Sequence, residues 1–279
     1  MRKHRIIIVV LSIVFIVVLY FLPRIVVNNE KDQEMGMAIG ERASESEAGE
    51  PGHENKDVHA MEISQPDLER INSYRQSLQE ERSDKLVMAD SLANIFMAYN
   101  KYDSAAKYFE IIARENPGLE EYERAGNAYY DALGFALDKT RAESYGEKVR
   151  YYFDIILRED PARLDIKNKL AMSYISSENP MRGIALLREI LEENPEDETA
   201  LFNMGILAVQ SGQYERASER FKNLVSLYPQ NLKGQFYLGL CFFEMGQNDK
   251  ARKQFELVKS MEDDPAVLAT VEGYLKELN

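Results

Sequence analysis

The side chains best suited to covalent or acid–base chemistry are few in this chain, and their spacing does not bring them together. Cys241 is the only cysteine, so no intrachain disulfide can form. It lies in the apolar run Leu240-Cys241-Phe242-Phe243, where a thiol reads as a small buried hydrophobe rather than a nucleophile. The only three histidines, His4, His53 and His59, all precede the point where helical periodicity begins. The rest of the chain therefore offers no imidazole for general acid–base work and no His/Cys cluster for a transition metal. No glycine-rich phosphate loop follows a strand pattern, and no nucleophile motif occurs. Carboxylates such as Asp90 and Glu123 remain, but single acids on helix faces read as solvated surface. The expectation is a protein that is not an enzyme, with no catalytic residue, no cofactor and no metal.

Recognition is the alternative chemistry, because the chain repeats itself. Residues 164–197, 198–231 and 232–265 are consecutive blocks of one length. Met204-Gly205, Gly212, Tyr214, Ala217, Phe221 and Pro229 in the middle block return one period later as Leu238-Gly239, Gly246, Ala251 and Phe255. One period earlier the offsets hold Leu170-Ala171, Gly183, Leu187 and Pro195. A period of this length signals a stacked array in which each unit contacts mainly its neighbours. Gly205, Gly239 and Ala171 fall inside predicted first helices, where glycine costs about 1 kcal/mol relative to alanine, so close packing must offset that cost. Ala217, Ala251 and Gly183 supply small surfaces on the second helices, and Phe221, Phe255 and Leu187 fill volume between adjacent units. Gly212 and Gly246 end first helices through a left-handed backbone. Pro195, Pro229 and Pro265 terminate second helices or open the next helix.

These residues resemble the tetratricopeptide repeat family, whose unit is a pair of antiparallel helices. The resemblance covers 86–265 as five units: 86–118, 119–163, 164–197, 198–231 and 232–265. In the first, Leu92-Ala93, Phe96, Tyr102, Ala105, Phe109 and Pro117 hold the family's positions. In the second, Tyr122, Ala125-Gly126, Tyr129, Phe153 and Pro161 fit, but an insertion around Asp131 to Arg141 lengthens either the interhelix loop or both helix ends. The implied fold is all-α, a right-handed solenoid of about five helix pairs. A leading helix is expected over 66–85. Residues 266–279 carry an apolar stripe of Val267, Leu268, Val271, Tyr274, Leu275 and Leu278, and are expected to cap the array.

The amino terminus reads as a membrane anchor. Ile6 to Leu22 is apolar apart from Ser12 and Tyr20, and continuing to Val27 gives a helix of roughly 30 Å, a full hydrocarbon thickness. Tyr20-Phe21-Leu22-Pro23-Arg24 lacks the small residues of a cleavage site, which disfavours a removable signal peptide. Arg2, Lys3 and Arg5 place residues 1–5 in the cytoplasm and the remainder across the membrane, in the periplasm of a Gram-negative bacterium. Residues 28–65 are acidic, lack periodicity and read as a disordered linker. The net charge of −13 comprises +4 on 1–27, −7 on 28–66 and −10 on the remainder, which argues against nucleic acid as a partner.

In the resembled family the first helices line a concave groove. Carried over position by position, its face is polar toward the amino end: Asp90, Asn94, Glu123, Asn127, Asp131 and Asn168. It becomes apolar toward the carboxyl end: Met172, Ile175, Phe202, Ile206, Val209, Phe236, Leu240 and Phe243. The resemblance implies a protein or peptide partner, extended or helical, with a basic end and an apolar end. The alternative, that Phe236, Phe243 and their neighbours are covered by the terminal helix or by loops, stays open. One family subtype clamps a terminal carboxylate with lysines; Asp90, Glu123, Asn168, Phe202 and Phe236 stand where that clamp would begin, so it is absent. The expected function is a membrane-tethered scaffold or adaptor in envelope protein export or assembly. The alternative is a homo-oligomeric structural component of a membrane complex.

Overall fold

The computed structural model describes residues 62–80 and 84–278, which form twelve α-helices and no strand. The expected anchor over 6–27, and the expected linker up to residue 61, lie outside the described residues. Among the described residues no helix is long and apolar enough to cross a membrane.

Helix α1 (Gln65–Gln79) is followed by five helix pairs. These are α2 (Lys85–Ala98) with α3 (Tyr102–Glu115), α4 (Leu119–Gly134) with α5 (Lys139–Glu159), and α6 (Leu164–Ile175) with α7 (Pro180–Glu193). Then come α8 (Glu198–Gln210) with α9 (Tyr214–Leu227), and α10 (Leu232–Glu244) with α11 (Asn248–Met261). By internal contacts the chain forms two compact units. One, residues 48–261 with Leu278, holds α1 to α11. Of the other, residues 262–277 are described, and they form α12 (Pro265–Glu277) with Val271 buried.

Within the larger unit each helix from α1 to α11 packs on the helix before and after it, and the first helices α4 and α6, and α8 and α10, also touch. Contact that runs along the chain in this way is the signature of a solenoid.

Local chemistry sets the helix starts. The side chains of Ser64, Asp138, Asp197 and Asn231 accept hydrogen bonds from the backbone N–H of Asp67, Arg141, Ala200 and Gly234, each satisfying one orphan donor of a first turn. The turns inside two pairs need a left-handed residue, supplied by Gly212 at φ 67° and Gly246 at φ 68°. The turn between α2 and α3 places Asn100 there, at φ 55°.

Small residues set the spacing between paired helices. A Cβ on Gly183 of α7 would lie 2.3 Å from the carbonyl oxygen of Ala171 on α6. A Cβ on Gly205 of α8 would lie 2.6 Å from the ring of Phe221 on α9. Phe221 therefore closes over the glycine of its own pair, where the sequence had placed it between units. It also reaches the next unit, stacking on Tyr237 at 5.5 Å between ring centroids. The largest fully buried side chains include Phe153, Phe221 and Phe255, one from the second helix of each of three pairs.

The insertion in the second unit goes into helix. Helices α4 and α5 run for 16 and 21 residues, against 14 each for α2 and α3. The added length is held by rings: Tyr129 lies 6.1 Å from Tyr145 and 6.3 Å from Tyr152. The short connection between the two helices leaves Leu137 exposed, and Phe135 stacks on Tyr102 of α3 at 5.2 Å.

Two glycine substitutions separate packing from propensity. Gly205→Ala is expected to lower stability by about 1–3 kcal/mol, because the methyl meets the Phe221 ring. Gly273→Ala, on α12 where an added Cβ meets nothing within 4 Å, is expected to raise stability by about 1 kcal/mol. Thermal unfolding of the two variants beside the parent chain reads both.

Candidate functional site

The first helices present a polar stretch on α2 and α4. Asp90 accepts a hydrogen bond from the Asn94 amide at 2.9 Å and pairs with the guanidinium of Arg124 on α4. Arg124 in turn lies 4.5 Å from the ring centroid of Phe109. Glu123 accepts two bonds from Arg163, at 2.8 and 3.0 Å, in the bidentate geometry that favours arginine over lysine. Arg163 also binds Asp165, which holds that carboxyl below its usual range. Lys169 of α6 donates to the side-chain oxygen of Asn127 at 2.6 Å.

The acidic character expected of this stretch is thus largely cancelled. Asp90 and Glu123 are stitched to cations on neighbouring elements, and their charges join repeats instead of facing outward. Asp131 differs. It accepts no hydrogen bond from any described residue, and burial raises its carboxyl above the ordinary range, with the charge of Lys169 a partial offset.

Three of the apolar-end or boundary candidates are interior residues. Asn168 is 3 % exposed, Phe236 7 % and Leu240 4 %, so they offer little surface to a partner. The Asn168 amide instead donates to the Leu164 carbonyl at 3.1 Å and to Asp197, the cap of α8, at 3.0 Å. Phe236 packs on Tyr237 and Phe255 at 5.7 and 5.8 Å. Met172, Phe202, Ile206 and Phe243 are half-buried. Phe202 meets Phe221 and Tyr237 edge-on at 5.9 and 5.7 Å. Ile206 follows Phe202 by one helical turn, on the same face of α8. The accessible apolar surface is therefore narrower than the sequence suggests, centred on α6 and α8.

The neutralising cations escaped the sequence reading. Arg124 stands 34 residues after Asp90, one position beyond Glu123, which holds the offset of Asp90 in the next unit, so the period alone does not pair them. Arg163 lies just before α6, and only the path of the connection delivers it to Glu123. Among the described residues no three His, Cys, Asp or Glu side chains are grouped to hold a metal ion. Burial pushes the Cys241 thiol up to about 12, with Glu244 adding to the effect.

Residues 208–272 match the family model of the tetratricopeptide repeat. Among curated proteins, the intraflagellar transport protein 88 homolog of Homo sapiens is 24 % identical over 177 residues, 61 % of this chain and 21 % of that protein. Surface lipoprotein assembly modifier 1 of Neisseria meningitidis serogroup B is 30 % identical over 102 residues, 36 % of this chain and 21 % of that protein. The chain thus spans about a fifth of the length of each. Among solved structures, a tetratricopeptide repeat protein from Parabacteroides merdae ATCC 43184 aligns with a TM-score of 0.55 at 20 % identity, covering 74 % of this chain and 78 % of that one. The fold is an all-α, tetratricopeptide-like helical-repeat solenoid, a protein-interaction architecture.

Two outcomes follow from the protonation states. Cys241 is expected to resist alkylation in the folded chain and to react fully once denatured, as a thiol-labelling time course reads. Asp131 binds its proton more tightly folded than unfolded, so its contribution to stability is present at low pH and lost as the pH rises through its folded value. Asp131→Asn is therefore expected to raise the melting temperature at neutral pH, with the gain shrinking as the pH falls toward the ordinary aspartate range.

Proposed function

We propose that this chain is a membrane-tethered scaffold that binds a segment of another polypeptide along its first helices. The observation that carries the reading is an acid with no hydrogen-bond donor among the described residues, Asp131 on α4, together with a half-buried apolar strip of Met172, Phe202 and Ile206 on the following first helices. Such a surface suits a peptide that places a cationic side chain near Asp131 and apolar side chains along α6 and α8. Asp90 and Glu123, already bound by Arg124 and Arg163, serve to hold the repeats in register. The basic requirement on the ligand is correspondingly one side chain, not a run of them.

The tether and compartment rest on the apolar run Ile6–Leu22, with Arg2, Lys3 and Arg5 before it. The likeness over 102 residues to a protein named as an assembly modifier of surface lipoproteins supports a role in the bacterial envelope, in protein export or assembly.

Peptide-array screening of the full chain tests the groove. Selected peptides are expected to combine a basic residue with apolar ones, and Ile206→Glu is expected to weaken them by about tenfold or more, since it sets a charge in the apolar strip. Failure to select any peptide, or selection that Ile206→Glu leaves unchanged, overturns the reading. Protease protection of the repeat units in intact cells, lost on opening the outer membrane, is the expected result for a periplasmic placement. Sedimentation of the chain as a concentration-independent monomer at micromolar concentration removes the self-associating alternative.

A further inference from the structure

A three-residue station, two members on second helices and one on the first helix between them, repeats at the last three junctions between pairs. In chain order, its members lie 34 residues apart: Asp154, Arg188 and Lys222 on the preceding second helix; Tyr174, Ala208 and Phe242 on the first helix; and Arg182, Arg216 and Lys250 on the following second helix. At the junction around Phe242, the ammonium groups of Lys222 and Lys250 lie 5.3 and 5.5 Å from the ring centroid, one from each flanking helix. The ring separates the two like charges and attracts both. At the junction around Tyr174, Arg182 lies 4.5 Å from the ring, and Asp154 supplies a negative charge that Arg182 stabilises. Each of these junctions compensates its cations from within the chain.

The middle junction lacks both devices. Arg188 stands where Asp154 stands, and Ala208 where the rings stand. A third cation is added: Arg220, at the offset of Leu186 in the preceding pair and Gln254 in the following one. Arg220 is partly buried, and its guanidinium binds its proton less tightly than usual. Burial is the main reason, followed by repulsion from Arg188 and Arg216, with Glu219 too weak an opponent to reverse the effect. Arg216 donates to the neutral Gln213 side chain at 2.6 Å. None of the three arginines is ion-paired with a carboxylate among the described residues. By the repeat offset Arg188 and Arg216 flank Ala208 as Lys222 and Lys250 flank Phe242, and Arg220, one turn along α9 from Arg216, feels the charge of both, in a chain whose net charge is −13.

We propose that Arg188, Arg216 and Arg220, around Ala208 at the junction of α7, α8 and α9, form a binding site for a dianionic phosphoryl group. With neither a ring nor a carboxylate at this junction, the positive charge is left for such a group to balance. Guanidinium forks match its oxygens in bidentate fashion, and two negative charges balance the cluster where one carboxylate leaves most of it uncompensated. The site lies on the second helices and is separate from the first-helix groove, so it stands or falls independently of that reading.

Calorimetric titration of the full chain with inorganic phosphate at about pH 8, against acetate and chloride at matched ionic strength, reads the site directly. Phosphate is expected to bind saturably and to raise the melting temperature, while chloride and acetate do neither. Arg188→Gln and Arg220→Gln are each expected to weaken phosphate binding by about tenfold or more, the loss of one charge-assisted contact. In the absence of phosphate each variant is expected to melt at or above the parent temperature, because like-charge repulsion is relieved. Glycerol phosphate binding as well as inorganic phosphate places an esterified group at the site; binding of inorganic phosphate alone places the free ion there. A response to phosphate no greater than to acetate overturns the proposal. So does a phosphate response that survives both substitutions, or a loss of basal stability in both variants.

Discussion

In four of the five helix pairs the two helices approach too closely for an added methyl group, at Gly126, Gly183, Gly205 and Gly239. At Gly183 a Cβ would collide with the Ala171 carbonyl, and at Gly205 with the Phe221 ring. That approach fixes where the second helix lies on the first, and so fixes which face of each first helix remains for a partner. Phe221 shows how one contact propagates: it seals its own pair over Gly205 and stacks on Tyr237 of the next. A solenoid of this kind is held by such nearest-neighbour contacts and has no long-range core to fall back on.

Electrostatics is layered on this frame in two different ways. Along the first helices, opposite charges alternate between pairs, as in Asp90 with Arg124 and Glu123 with Arg163. Partly exposed pairs of this sort contribute little stability each, about 0–1 kcal/mol, but they fix register between units. Along the second helices, cations gather on both sides of a ring position. The ring is present at Tyr174 and Phe242 and absent at Ala208, where Arg220 adds a further cation, and these differences set one junction apart from its neighbours.

The insertion in the second pair illustrates a further consequence of stacking. Extra residues could have left the array as a loop, yet α4 and α5 absorb them as added helical turns. Tyr129, Tyr145 and Tyr152 provide the apolar contact that keeps the lengthened ends paired. Tyr129 also donates to Glu110 of α3, which Lys148 of α5 binds in turn, tying the extension to the preceding unit.

The repeat period, the helix pairing and the left-handed turns at Gly212 and Gly246 were legible in the residues alone, because each depends on local backbone chemistry recurring at a fixed interval. The chemical poverty of the thiol could also be read, since Cys241 sits in an apolar run. What the sequence could not provide was the state of the groove. Whether Asp90, Glu123 or Asp131 presents a free charge depends on cations delivered from other repeats, and Arg163 reaches Glu123 only through the path of a connecting segment. Likewise Asn168, Phe236 and Leu240 occupy groove positions by offset but are interior by packing. An offset along a helix assigns a direction; accessibility and charge compensation belong to whatever lies opposite, and that is decided only when the helices are stacked.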